Sequence, residues 1–257
     1  MELGLAGKVV VITGGATGIG KEAALAFLQE GCQVAVCSRS QKKVDSVVAD
    51  CKAQGYEVLG RQVDAASTAE LSRFADEVAA AYGGIDIWLN NAGIYPQSPL
   101  LEMTEEAWDE IFRINVKGVF IGSRIAASHI ACRPQGGVIL NASSFAAVIP
   151  SAGSGAYAAT KAAVGSLTRT LAAELAPKKI RVVAYIPGLI ATEMTAPVIA
   201  SKEQALRQQI ALNRLGDAEE VAKPLVFLAS EAASYITGVS VEISGGKFAV
   251  QNPMYSW

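Results

Sequence analysis

The chain has 257 residues, of which 51% are hydrophobic and 18% charged, with a net charge of −2 and a single histidine, His129. That length suits one α/β domain and that apolar share suits a sheet buried on both faces. The near-zero charge argues against a nucleic-acid partner, and one histidine leaves a zinc site or a Ser-His-Asp hydrolase little to work with. Cys32, Cys37, Cys51 and Cys132 form no CxxC pair and read as reduced thiols, so no metal site and no disulfide framework is expected.

Taken in order, the chain opens on MELGLAGKVVVIT, which lacks the basic and long apolar parts of a signal peptide. No run of about 18 apolar residues follows, so a cytoplasmic protein with no membrane partner is expected. Valine- and isoleucine-rich runs at Lys8–Thr13, Gln33–Ser38, Glu57–Val63, Ile85–Leu89, Gly137–Asn141, Arg181–Ile186 and Ser240–Ile243 read as seven strands. Segments of helical period at Ile19–Glu30, Gln41–Gln54, Thr68–Tyr82, Glu105–Ala131, Ala156–Ala176 and Ala218–Ala229 separate them. This alternation predicts an α/β fold: a single Rossmann-type, doubly wound parallel sheet flanked by helices, with residues 1–257 as one dinucleotide-binding catalytic domain. Two stretches break the pattern. The first, about residues 189–212, reads as a substrate loop with a short helix near Lys202–Ala211; the second is an aromatic tail, residues 247–257, suited to covering a subunit interface or a neighbouring site.

The first strand runs into Thr13-Gly14-Gly15-Ala16-Thr17-Gly18-Ile19-Gly20 and then a helix, a TGxxxGxG loop that brings backbone N–H groups and a helix N-terminus to a pyrophosphate. Gly14, Ala16, Thr17, Gly18, Ile19 and Gly20 are therefore candidate cofactor contacts. Ser38 stands at the end of the second strand where an acidic residue would bind ribose hydroxyls, and Arg39 follows it. A guanidinium without a neighbouring carboxylate accommodates a 2′-phosphate, which favours NADP over NAD. Asp64 and Ala65 after the third strand, and Asn90-Asn91-Ala92-Gly93 after the fourth, complete a row of strand ends suited to adenine and ribose.

Tyr157 and Lys161 lie one turn apart on a helix. An ammonium neighbour, with the positive ring of an oxidised nicotinamide, is expected to lower the phenol pKa, fitting Tyr157 to exchange a proton with a substrate oxygen. Ser144, at the end of the fifth strand, is suited to donate to that oxygen; Ser143 is its rival, and the spacing to Tyr157 favours Ser144. Asn115 is an unfavourable residue within a helical segment, read either as a solvated side chain or as the holder of a water that relays protons to Lys161.

Together these residues resemble the short-chain dehydrogenase/reductase family from about Leu5 to Gly246. The resemblance implies a catalytic set of Asn115, Ser144, Tyr157 and Lys161. It implies that Pro187-Gly188-Leu189-Ile190-Ala191-Thr192 is a nicotinamide-binding turn in which the Ile190 backbone and the Thr192 hydroxyl hold the carboxamide, making Pro187, Gly188, Ile190 and Thr192 further cofactor contacts. It also implies a homotetramer formed through helices such as Ala156–Ala176 and Ala218–Ala229. The expected activity is hydride transfer between NADP(H) and a small-molecule carbonyl or secondary alcohol. Tyr95, Phe145, Ile149, Leu189 and Met194 would form a largely apolar substrate pocket. A 3-oxoacyl-thioester reductase, for which Lys202, Arg207 and Arg214 are candidate carrier contacts, and a sugar or polyol dehydrogenase are the alternatives within this class. A cofactor-binding sensor without chemistry is disfavoured because all four catalytic positions are present.

Overall fold

The computed structural model describes residues 2–249. Seven strands form one parallel sheet: β1 (Val9–Thr13), β2 (Gln33–Ser38), β3 (Val58–Gln62), β4 (Ile87–Asn90), β5 (Gly137–Ala142), β6 (Ile180–Pro187) and β7 (Ser240–Ile243), in spatial order 3-2-1-4-5-6-7. The register runs Val11↔Ala35 between β1 and β2 and Val11↔Trp88 between β1 and β4, so β1 is an interior strand and the winding reverses between it and β4. At such a reversal the loops leaving neighbouring strands diverge and open a crevice at the strand C-termini.

The pleat divides the strands between two cores. Val10, Ile12, Val34, Val36, Leu89 and Leu140 face α1 (Gly18–Gln29), α2 (Gln41–Ala53) and α8 (Ala218–Ala229). Val9, Val11, Ala35, Trp88, Ile139 and Val182 face α3 (Thr68–Tyr82), α5 (Gly118–Ile130) and α6 (Gly155–Leu175). Continuous apolar runs follow from this two-sided burial. The edge strand β3 departs from it: Arg61 and Gln62 are exposed, because one side of β3 has no strand partner among the described residues.

Two elements differ from the sequence expectation. The segment expected as one helix from Glu105 to Ala131 is α4 (Glu105–Phe112) and α5 joined by a π-helical turn, Arg113–Lys117, in which the Gly118 N–H reaches back five residues to the Arg113 carbonyl. The short helix expected near Lys202–Ala211 is instead α7, Ala196–Arg207, with a kink at Lys202. It begins earlier because Pro197 is suited to a first helical turn, where no N–H is needed; the Thr195 hydroxyl fastens the entry by donating to the Ile190 carbonyl at 2.6 Å. From residue 250 the expected tail lies outside the described residues. Among the described residues no helix is long and apolar enough to cross a membrane.

Candidate active site

The glycine loop after β1 is shaped by approach distances that leave no room for side chains. Gly14 has φ +65°, and a Cβ there would stand 2.8 Å from the Ala92 Cα. Gly20 packs its helix turn on the same loop, where a Cβ would meet the Gly14 carbonyl oxygen at 2.3 Å. The loop is tied to the turn after β4: the Thr13 hydroxyl accepts the N–H groups of Asn91 (3.1 Å) and Ala92 (3.2 Å), and the Asn91 amide donates to the Gly14 carbonyl at 3.0 Å. The buried Tyr185 of β6 donates its hydroxyl to the Asn91 Oδ1 at 3.0 Å, so three strand ends are fixed together.

Above them lies an open cleft of about 410 Å³. Gly14, Thr17, Gly18 and Ile19 line it from the glycine loop, with Ser38 and Arg39 from β2. Asp64 and Ala65 follow β3, and Asn91, Ala92 and Gly93 follow β4. Ser144, Tyr157, Lys161, Pro187, Gly188, Ile190 and Thr192 close its far end. Ala16, Gly20 and Asn115 do not line it: Ala16 belongs to the core, Gly20 packs on Gly14, and Asn115 lies beneath. Asn90, read beside Asn91 as part of the ribose wall, instead turns into the core. It accepts from the Trp88 indole at 2.8 Å and donates to Ser123 and Asn141, a buried chain that ties β4 to β5 and α5.

At one end of the cleft the Arg39 guanidinium is half exposed, 3.7 Å from Glu110. Arg113 binds both Glu110 (2.6 Å) and Asp64 (2.8 Å). Burial works against ionising Asp64, but the Ala66 N–H and the Arg113 guanidinium hold its carboxyl below the usual range. Lys43, on the first turn of α2, pairs with Glu193 across the mouth of the cleft.

At the other end, Lys161 is 4% exposed; its Nζ donates to the Ala142 carbonyl at 2.9 Å and stands 5.5 Å from the centroid of the Tyr157 ring. Ser144 lines the cleft with Tyr157, its hydroxyl accepting the Ala146 N–H at 3.2 Å, while the Ser143 hydroxyl is spent on the Lys161 backbone carbonyl at 3.0 Å. The geometry therefore favours Ser144 as the partner of Tyr157 and makes Ser143 an anchor of α6.

The protein groups alone do not lower the phenol pKa; the expected lowering also calls on the positive ring of an oxidised nicotinamide. Burial pushes Tyr157 up to about 12, and the neighbouring Ser144 hydroxyl only partly offsets it. Burial likewise pushes Lys161 down to about 8. Desolvation disfavours the phenolate and the ammonium alike.

Asn115 is neither solvated nor turned to the cleft. Its Oδ1 accepts the Ile94 N–H and its Nδ2 donates to the Ile94 carbonyl, both at 2.9 Å, with a further bond from Nδ2 to Thr160 at 3.2 Å. The π turn delivers this side chain to the strand-end segment; such turns recur at functional sites.

Of the expected substrate-pocket residues, Tyr95 meets Tyr157 edge-on with ring centroids 4.7 Å apart, and Met194 lines the cleft. Leu189 and Phe145 pack with Leu206 and Ile210 under α7, and Ile149 is largely exposed. Of the three candidate carrier contacts, Arg207 lies 3.9 Å from Glu203 and donates to the Asn213 carbonyl beside Arg214, Arg214 binds Glu220, and Lys202 is exposed at the kink of α7.

Sequence reading missed Ser40, Lys43, Tyr185 and Glu193 as cleft residues. Lys43 was within reach, lying one turn after Ser40 at the strand end that carries Arg39. Tyr185 carried a signal too, since a tyrosine inside a buried strand needs a partner for its hydroxyl. Glu193 had none, because its ion partner is 150 residues away.

These features have counterparts in known proteins. A family model described as short chain dehydrogenase matches residues 8–203. The chain is 38% identical over 242 residues to a 3-oxoacyl-[acyl-carrier-protein] reductase of Thermotoga maritima, covering 94% of this chain and 98% of that one. It is 38% identical over 245 residues to dehydrogenase/reductase SDR family member 4 of Pongo abelii, covering 94% and 88%. The crystal structure of a short-chain type dehydrogenase/reductase from Mycobacterium marinum superposes with a TM-score of 0.91 at 36% identity, covering 96% and 97% of the two chains.

Proposed function

The chain belongs to the short-chain dehydrogenase family, nicotinamide-dependent oxidoreductases acting on carbonyl or alcohol groups, and within it we propose an NADP(H)-dependent carbonyl reductase with Tyr157 as its acid. The observation that carries this reading is the Ser144–Tyr157–Lys161 group, with Ser144 and Lys161 buried and Tyr157 half-buried, at the end of a cleft whose other end presents Arg39.

The cleft suits a dinucleotide. Gly14 and Gly18 leave its floor free of side chains, and the α1 N-terminus faces it with backbone donors. Ser38, Arg39 and Asp64 would hold the adenosine end, with Ala65, Asn91, Ala92 and Gly93 along the ribose and Pro187, Gly188, Ile190 and Thr192 at the nicotinamide. Arg39 beside the uncharged Ser38 favours a 2′-phosphate; Lys43 adds a second cation on the same wall. When bound, the reduced nicotinamide supplies hydride to the carbonyl carbon.

The protein's part is to hold the substrate oxygen and deliver a proton. The Ser144 and Tyr157 hydroxyls would both donate to that oxygen, orienting the carbonyl and stabilising negative charge as it develops. With its pKa pushed up to about 12, Tyr157 carries its proton throughout the neutral range and can give it up to the forming alkoxide. Lys161, held against Ala142, supplies positive charge beside the phenol, where the phenolate left behind would need it. Asn115 acts one step removed, holding the Ile94 backbone and Thr160 of α6 together.

A second reading, reduction of a 3-oxoacyl thioester, is favoured by the names of the bacterial relatives. Arg207 and Arg214 each lie beside a carboxylate, Glu203 and Glu220, as Arg39 and Lys43 lie beside Glu110 and Glu193, so ion pairing does not separate the two readings.

The test follows absorbance at 340 nm with NADPH or NADH against ketones, diketones, keto-sugars and acyl thioesters, using the parent, Tyr157→Phe and Arg39→Ala. The expected result is NADPH oxidation reduced at least a thousandfold by Tyr157→Phe. Arg39→Ala should raise KM for NADPH at least tenfold while changing that for NADH little. Turnover retained in Tyr157→Phe would remove the assignment of the acid. A parent that prefers NADH would overturn the cofactor reading and leave the family activity standing. The relative rates across the panel separate a small-ketone reductase from an acyl-thioester reductase.

A further inference from the structure

Behind the strand ends that carry Arg39 and Asp64 lies an ion network to which the cofactor reading gives no purpose. Glu110, on the last turn of α4, and Arg113, at the start of the π turn, stand three residues apart. Neither lines the cleft, but each reaches a residue that does. The Arg113 Nε and Nη2 donate to the two oxygens of Glu110 at 2.6 and 3.0 Å, and its Nη1 donates to the Asp64 Oδ2 at 2.8 Å. The other Asp64 oxygen accepts the Ala66 N–H at 2.9 Å, so both oxygens of that carboxylate are engaged by the protein. A planar guanidinium fork suits such a span of two carboxylates, and a single ammonium does not.

Glu110 also stands 3.7 Å from the Arg39 guanidinium, beyond hydrogen-bond distance but within reach of its charge. Among the described residues it is the sole carboxylate within 4.0 Å of Arg39. A glutamate here with no other partner would close onto Arg39 and take the two-pronged contact that a phosphate needs. Arg113 prevents this by occupying both Glu110 oxygens. The same bonds hold the Glu110 carboxyl below the usual range, so its negative charge is permanent near neutral pH. Arg39 and Arg113 thus balance Asp64 and Glu110, and Lys43 balances Glu193 on the neighbouring wall. With no net positive charge at this end of the cleft, preference for a phosphate depends on which cation is committed to which carboxylate.

We propose that Arg113 is a positioning residue for cofactor selectivity: by binding Glu110 and Asp64 it keeps both carboxylates off Arg39 and leaves that guanidinium available to the 2′-phosphate of NADP, while Glu110 limits how strongly the phosphate is preferred. This rests on the NADP reading and extends it to two residues outside the cleft. Breaking the Arg113–Glu110 pair from either side removes the same bonds. Loss of Arg113 leaves two carboxylates facing the phosphate, whereas loss of the Glu110 charge removes one. The two changes therefore act on phosphate binding with opposite sign.

The experiment titrates NADPH and NADH into the parent, Glu110→Gln, Arg113→Met and Arg39→Ala, following nicotinamide fluorescence, and reads the ratio of the two dissociation constants. The two cofactors differ only in the 2′-phosphate, so a general disturbance of α4 or Asp64 weakens both and cancels in the ratio. Glu110→Gln should raise the preference for NADPH about fivefold, and Arg113→Met should lower it about tenfold. Near 1 M salt, where the screening length falls to about 3 Å, both shifts should shrink. A purely structural pair would move the ratio the same way in both variants, or leave it unmoved, and either result would overturn the proposal. Shifts undiminished by salt would trace them to altered shape and overturn it as well. Should Arg113→Met fail to fold, Glu110→Gln decides alone: a raised preference supports the proposal, and an unchanged or lowered one removes it. Arg39→Ala keeps the two readings apart. A ratio that Arg39→Ala leaves unmoved would end the NADP reading itself; a ratio that collapses there while the other two variants shift together would end only the role given to Arg113.

Discussion

Lys161 shows what the site demands of a single residue. Its ammonium is buried with one backbone acceptor, Ala142, and burial lowers its pKa from 10.5 to about 8. Between those values the unfolded chain binds more protons than the native one, so this group's contribution makes stability rise with pH through that window. Below pH 8 the penalty is fully present, on the order of 3 kcal/mol. Lys161→Met should therefore be more stable than the parent at pH 7, by about 1–3 kcal/mol, and that advantage should shrink towards pH 10, while reductase turnover is lost. Urea denaturation of both proteins at pH 7 and pH 10 measures this. A methionine variant less stable at pH 7 would mean that the bond to Ala142 outweighs the burial penalty. Tyr157 and Lys161 were both legible as a pair one helical turn apart. The direction of the tyrosine shift was not, because a pair in sequence does not reveal how completely the fold removes water from it.

Among the elements, the π turn between α4 and α5 is the one whose purpose is clearest. One helical segment was legible over its full length, and Asn115 stood out in it as a poor helix former. The turn itself was not legible, since the residue it serves, Ile94, lies 21 positions away on another element. Removing the Asn115 side chain leaves the Ile94 N–H and carbonyl without their partner. Asn115→Ala should cost about 2–4 kcal/mol, from buried polar groups left unpaired. It should also lower kcat/KM at least tenfold, by releasing the segment that carries Tyr95 and loosening Thr160 next to Lys161. Parallel denaturation and kinetics test it: full activity in a destabilised protein would confine Asn115 to a structural role. The boundaries of α7 show a similar limit. Polar composition hid its start, which is set by Pro197 and by the Thr195 bond to Ile190.

At the scale of the whole molecule, the sheet ends at β7, whose outer edge has no strand partner among the described residues. Around it Phe227, Tyr235 and Val239 are exposed, Tyr235 fully. An open strand edge with apolar neighbours is a surface that proteins ordinarily cover. The family resemblance implies a homotetramer through α6 and α8, an expectation that the mass in solution tests. Light scattering coupled to size exclusion should give a mass about four times the 26.7 kDa of the chain. The double substitution Phe227→Glu, Tyr235→Glu should shift it to a smaller species. A monomeric parent would remove the tetramer. A tetramer untouched by the charges would place its contacts elsewhere.

The sequence by itself determined the seven strands and their doubly wound α/β alternation, and it marked the glycine loop, the Arg39 strand end and the Ser144, Tyr157, Lys161 set as candidates. These rest on local rules: the two-sided burial of parallel strands, the turn needs of glycine, and the spacing of residues on one helix face. The tertiary structure alone decided that Asn90 ties the core while Asn91 faces the cleft, that Asn115 clamps Ile94, that Lys43 meets Glu193, and that burial governs the phenol. Each of these depends on groups far apart in the chain meeting where water is scarce or absent, and no local pattern encodes such a meeting.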